Sequence, residues 1–224
     1  GAGSCSAGFK YQKEHFPDCH TPDLPGHPDG DSLETVEEYT KWLHDWLHRQ
    51  GHTSDLVLSG FTLGACVALQ YALDYPSEVA GLLLMTIAMR PKVRAPGSLE
   101  FRLNAAKDEK VHEEWLDAMR HSMMFIEEGL REQLIECHRT VGPISQYNDL
   151  VTIDNFDVRD RISELKAPLV LVRGVDDPGK PAEYELEIHE AVPGSKYIKL
   201  DQAGHFPMAE RPADINRAIE ELMA

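Results

Sequence analysis

The stretch Leu56-Val57-Leu58-Ser59-Gly60-Phe61-Thr62-Leu63-Gly64-Ala65-Cys66-Val67-Ala68-Leu69 constrains the fold more than any other part of the 224-residue chain. It opens with a short apolar run of the kind that forms a buried parallel strand. Leu63, Val67, Leu69, Tyr71, Ala72 and Leu73 then read as a largely buried helix that ends before Pro76. Between the two lies a turn with glycine two residues either side of Thr62. A side chain at the tip of such a turn projects above the sheet edge. Its flanks must be small, because the helix backbone crosses close to the strand there.

This strand, turn and helix resemble the G-x-S-x-G nucleophile elbow of the α/β-hydrolase family, with Thr62 where that family has serine, cysteine or aspartate. The resemblance runs through nearly the whole chain. Pro22-Asp23-Leu24-Pro25-Gly26-His27 is similar to the family's loop after its fourth strand. Tyr75-Pro76 through Leu84 is similar to its next turn and buried strand, and Asn155 to Ile162 to the segment that returns to the sheet. The implied fold class is α/β: a mostly parallel sheet with helices on both faces and an inserted helical cap. Residues 1–86 and 163–224 would make the core and residues 87–162 the cap.

The residues themselves agree with that plan. Leu33, Val36, Tyr39, Leu43, Trp46 and Leu47 recur at helical spacing after Asp31-Ser32, which reads as the cap, and Gly51 stops the helix. Arg90 to Gly97 reads as a linker, followed by helix-like runs at Leu99–Ala106, Glu109–His121, Met123–His138 and Ile144–Val151. Pro168 to Gly174 is a buried strand, Pro181 to Ala191 a helix, Lys196 to Leu200 the last strand, and Pro212 to Met223 the closing helix.

Acyl transfer needs a nucleophile, a base to take its proton and an acid group that orients the base. Thr62 on the elbow, Asp177 three residues after Gly174, and His205 after Gly204 stand in the family's order of nucleophile, acid and histidine. Asp176 is adjacent and could serve instead of Asp177. Threonine's extra methyl is the difficulty, because positive φ is an outlier for a β-branched side chain. Ser59 lies in the strand and cannot replace Thr62, while Cys66 points into the packing. The backbone N–H of Leu63 would form an oxyanion hole. Gly1 looks like the glycine of the family's His-Gly pair, which would make Ala2 the second donor. On that match the family's first strands are expected to be missing from the chain as given. Phe61, Met123, Met124 and Phe206 are the expected substrate-pocket residues, with Met119 and Ile126 adding to an adaptable apolar lining. Asp23 and His27 read as loop-shaping, and together with Phe9 could form part of the pocket rim.

Asp and Glu number 38 against 22 Lys and Arg, a net charge of −16. Such a surface repels phosphate backbones and anionic lipid, which argues against nucleic-acid and membrane partners. Cys5, Cys19, Cys66 and Cys137 are scattered, and read as reduced thiols of a cytoplasmic protein. His44, His48 and His52 fall at four-residue spacing, but no carboxylate or cysteine is evident to complete a metal site, so no metal is expected. No G-x-G-x-x-G follows a strand and no P-loop lysine is present, so no cofactor is expected. Two readings remain. One is a hydrolase acting on a small ester or related acyl substrate. The other is a catalytically impaired relative that binds a small apolar ligand or a partner.

Overall fold

A computed structural model describes residues 1–177 and 182–224. Four strands form one parallel sheet in the order of the chain: β1 Leu56–Phe61, β2 Val79–Met85, β3 Leu169–Gly174 and β4 Lys196–Leu200. In-register pairs such as Phe61 with Met85, Met85 with Val172 and Val172 with Ile198 carry the alignment across the sheet. All four strands therefore end at the same edge, and the loops leaving that edge are the ones that meet.

Alternation along each strand divides the core in two. Leu82, Leu84, Leu169 and Leu171 face a cluster built from α2 (Val36–Arg49) and α3 (Leu63–Asp74). Leu83, Met85, Val170 and Val172 face the opposite cluster, which holds Ile215, Ala218 and Ile219 of the closing helix (Pro212–Met223). Helices thus cover both faces, as strands that are apolar on both sides demand.

Helix α2 starts later than the sequence pattern implies. Its cap is Thr35, not Asp31-Ser32: the Thr35 hydroxyl accepts from the Glu38 amide, and Glu38 reaches back to the Thr35 amide. The short α1 (Lys10–His15) carries no apolar period long enough to announce itself in the sequence.

Between β2 and β3 the described chain holds α4 (Ser98–Ala105), α5 (Glu109–Ser122) and α6 (Glu128–Asn155), and no strand. Met123 to Glu127 is not helical, which corrects the expected helix at Met123–His138. The break expected between the last two helices is found inside α6, at Gly142, where φ is 81° and ψ 166°, just before Pro143. Beyond β3, α7 spans Glu183–Ala191. The expected start of that helix at Pro181 lies outside the described residues. Pro207–Glu210 (α8) and Pro212–Met223 (α9) close the chain. No helix among the described residues is long and apolar enough to cross a membrane.

The cysteine reading is corrected. Cys5 and Cys137 form a disulfide, with Cα atoms 6.1 Å apart, joining the N-terminal loop to α6. Partners 132 residues apart leave no local spacing to read. The bond also removes the reduced-thiol ground on which a cytoplasmic location was expected. Cys19 and Cys66 are free, and burial pushes the Cys66 thiol up to about 12.

Candidate active site

β1 runs directly into Thr62, whose backbone is held at φ 48° and ψ −111°. The surroundings fix that conformation from both sides. The Thr62 amide donates to the Met85 carbonyl at 3.1 Å, and the Thr62 carbonyl accepts from Ala65 and Cys66 at 3.0 and 3.1 Å. Strain of this kind costs about 1–3 kcal/mol and persists only where neighbours over-determine it. The close approach of helix to strand falls on one glycine. A Cβ on Gly60 would lie 2.4 Å from the Gly64 carbonyl oxygen, whereas one on Gly64 would meet nothing within 4 Å. The second glycine of the turn is therefore not required for space, which corrects the expectation that both flanks must be tiny.

The histidine loop is positioned by two contacts. Gly174, at the end of β3, lies so close to the loop after β4 that a Cβ there would be 2.2 Å from the Gly204 carbonyl oxygen. The buried Glu210 carboxylate accepts from the amides of Gly204 at 2.6 Å and Phe206 at 3.2 Å, and so grips the loop on both sides of His205. His205 Nδ1 then meets Asp177 Oδ2 at 2.7 Å. Asp176 points elsewhere: it is exposed, and its amide donates to the Ala203 carbonyl.

Thr62 and His205 line one cavity of about 100 Å³, together with Ala2, Phe61, Phe206, Trp115 and Met119. The Ala2 amide donates to Thr62 Oγ1 at 3.0 Å. Leu63 opens α3, and the first amides of a helix have no partner within it. The loop carrying Ala2 is itself pinned to α6: the Asp149 carboxylate accepts from the Gly3 amide at 2.6 Å and meets His27 Nε2 at 2.8 Å. His27 also reaches the Leu24 and Pro25 carbonyls through Nδ1, and Asp23 accepts from the Ser6 amide, so both residues shape loops.

The expected pocket wall is only partly found. Met123 is wholly buried in the core behind the cavity, Met124 is half exposed, and neither lines it, nor does Phe9. Met119 of α5 takes the place expected of them, because the chain leaves the helix at Met123. The walls are also less apolar than expected. Lys92, Arg94, Arg102, His138 and Gln146 share them. Sequence reasoning missed Lys92 and Arg94 because they fall in a Pro-rich linker, and Glu210 because it sits five residues from the histidine it steadies.

Between α2 and the turn that follows α3, His44 and His48 do have a carboxylate beside them, contrary to expectation. Glu78 lies 3.5 Å from His44 Nε2 and 3.1 Å from His48 Nε2, and these three could hold a metal ion. Glu78 is already engaged by the Tyr71 hydroxyl at 2.5 Å.

The model of the alpha/beta hydrolase family matches residues 1–218. The chain belongs to the alpha/beta hydrolase family. It is 27% identical to a pimeloyl-[acyl-carrier protein] methyl ester esterase of Vibrio cholerae serotype O1, over 92% of this chain and 84% of that protein. It is 24% identical to Lipase 3 of a Moraxella species, over 77% of this chain but only 57% of the lipase. Among solved structures, an esterase from Thermogutta terrifontis superposes with a TM-score of 0.78 at 24% identity, covering 99% of this chain and 86% of that one. This alpha/beta hydrolase family member is thus a hydrolase whose fold is shared with esterases.

Proposed function

We propose that the protein hydrolyses a small carboxylic ester through Thr62, His205 and Asp177, with the helices inserted between β2 and β3 acting as a cap. The observation that carries this reading is the 2.7 Å pairing of Asp177 with His205 on the cavity where Thr62 is held at φ 48°. A carboxylate on Nδ1 fixes the tautomer in which Nε2 is the nitrogen that accepts a proton. Thr62 Oγ1 attacks the ester carbonyl while His205 takes its proton. The negative oxygen is received by the amides of Leu63 and Ala2, the latter leaving Thr62 Oγ1 to do so. Collapse expels the alcohol, protonated by His205, and leaves an acyl-threonine. Water, deprotonated by the same imidazole, then releases the acid.

Relatives named as esterases and lipases support the ester as substrate class. A purely binding role for an apolar ligand fits less well, because Lys92 and Arg102 line the same cavity. The test is hydrolysis of a short-chain aryl ester by wild type, Thr62→Ala and His205→Ala. Loss of at least a hundredfold in kcat for each variant is expected. Equal rates in all three would overturn the assignment and leave a binding protein.

A further inference from the structure

The cavity beside Thr62 concentrates positive charge in a chain whose net charge is −16. Lys92, Arg94 and Arg102 all reach it. Arg94 is paired with Asp154. The other two have no carboxylate within ion-pair reach among the described residues: Lys92 Nζ donates to the Thr86 carbonyl at 3.3 Å and lies 6.0 Å from the Tyr184 ring, and Arg102 donates to the Ser98 carbonyl at 2.6 Å. The Arg102 Nε–H is shielded from water and has no hydrogen-bond partner. The Trp115 ring, 5.9 Å away, packs against its guanidinium.

Cations drawn partly out of water without a carboxylate partner are costly, and a bound anion would offset that cost. Burial lowers the Lys92 ammonium below its usual value and pushes Arg102 down to about 10, so both are held against a penalty that an anion would relieve. A second observation comes from the neighbouring wall. His138 is 1% exposed, and neither ring nitrogen has a hydrogen bond of full geometry, the Gly3 backbone being a weak polar neighbour. Burial pushes this imidazole down to about 3, so it is neutral and offers one donor and one acceptor. An unmatched polar ring and an unmatched guanidinium edge therefore share the cavity with the Thr62 hydroxyl.

We infer that the cavity selects esters whose substrate carries a carboxylate, taken by Lys92 and Arg102, on a short spacer from the scissile bond. The inference rests on the hydrolytic reading of Thr62. The cavity is small, at about 100 Å³, which favours a short spacer. Trp115 and Met119 supply the apolar wall along it. Asp154 and Glu185 are the acidic side chains whose charge reaches these cations, but Asp154 is paired with Arg94 and neither carboxylate forms an ion pair with Lys92 or Arg102.

The test compares monomethyl succinate with methyl 4-methylpentanoate, a neutral ester of the same shape. Wild type should favour the anionic ester by about ten- to a hundredfold in kcat/KM, the worth of a charge-assisted pair. Arg102→Met and Lys92→Met should each reduce that ratio at least about tenfold. A parallel calorimetric titration of succinate into Thr62→Ala should show binding, and the Arg102→Met/Thr62→Ala double variant should show none. No preference in wild type, or an unchanged ratio in folded variants, would overturn the inference. Should Arg102→Met fail to fold, Lys92→Met decides. If Thr62→Ala turns over as fast as wild type, or neither methyl ester is cleaved, the hydrolytic assignment falls by itself. Succinate binding then still stands or falls on the calorimetry.

Discussion

Gly174 and Gly204 touch backbone to backbone, so closely that a Cβ on Gly174 would lie 2.2 Å from the Gly204 carbonyl oxygen and 2.4 Å from that of Ala203. This contact joins the end of β3, three residues before Asp177, to the residue before His205. Gly174→Ala must push the two loops apart, since backbone is the obstacle on both sides. Misplacement of about 1 Å at a catalytic group can cost a hundredfold in rate. Gly174→Ala is therefore expected to lose about ten- to a hundredfold in kcat. Gly204→Ala would meet only the Glu210 carboxylate at 3.3 Å and the Ser122 carbonyl at 3.5 Å, and should be milder. Ester kinetics of the two variants, alongside their melting temperatures, check the order.

Thr62 occupies φ 48° with a β-branched side chain. Thr62→Ser keeps the hydroxyl and removes the methyl that restricts χ1 and crowds the attacking oxygen. Relief of about 1 kcal/mol of strain and crowding would raise the rate roughly fivefold to tenfold. A faster serine variant with unchanged KM is the expected result. A serine variant slower than wild type would mean that the methyl group is used to hold the hydroxyl in place.

Glu210 is a positioning residue. Its carboxylate accepts from the amides on both sides of His205, and burial raises its pKa above the ordinary carboxylate value. Glu210→Ala leaves both amides buried and unpaired, at a cost of about 2 kcal/mol in stability. Glu210→Gln keeps an acceptor oxygen. The alanine variant should lose activity together with melting temperature, and the glutamine variant should recover most of both. Rescue by glutamine separates loop positioning from a need for charge.

The legible parts of the fold and site were those fixed by local sequence. Apolar runs marked β2 and β3, which are buried on both faces and so carry no alternation to blur them, while the short apolar run of β1 and the lysine-bearing, more exposed β4 were read together with their place before the turn and the last loop. The proposed triad of Thr62, Asp177 and His205 was picked out by its resemblance to the family's order of nucleophile, acid and histidine, each after a strand, and parallel strands deliver their ends to one edge. What stayed hidden depends on distant partners. The Cys5–Cys137 bond, the Asp149 link from α6 to Gly3 and His27, and the approach of Glu78 to His44 all join separated segments. Met123 and Met124 were misplaced for a different reason: the helix ends at Ser122, and the change of direction turns one methionine into the core and the other to solvent.

Glu185 gives a pH dependence of folding stability. It is 2% exposed on α7, and Arg173 lies 3.4 Å from its carboxylate. Burial nevertheless outweighs that partner and pushes the carboxyl up to about 7 from an ordinary 4.5. The folded state thus holds a proton that the unfolded chain releases at lower pH. Stability must fall as pH rises from about 4.5 to 7, and the penalty is complete above that window. Glu185→Gln imitates the protonated form, which already coexists with Arg173 at low pH, and cannot ionise. At pH 8 it should stabilise the fold by about 1–3 kcal/mol, and at pH 4.5 or below by almost nothing. Melting curves of wild type and Glu185→Gln at both pH values check this. A difference that stays constant with pH would mean that the carboxyl titrates alike in the folded and unfolded chain.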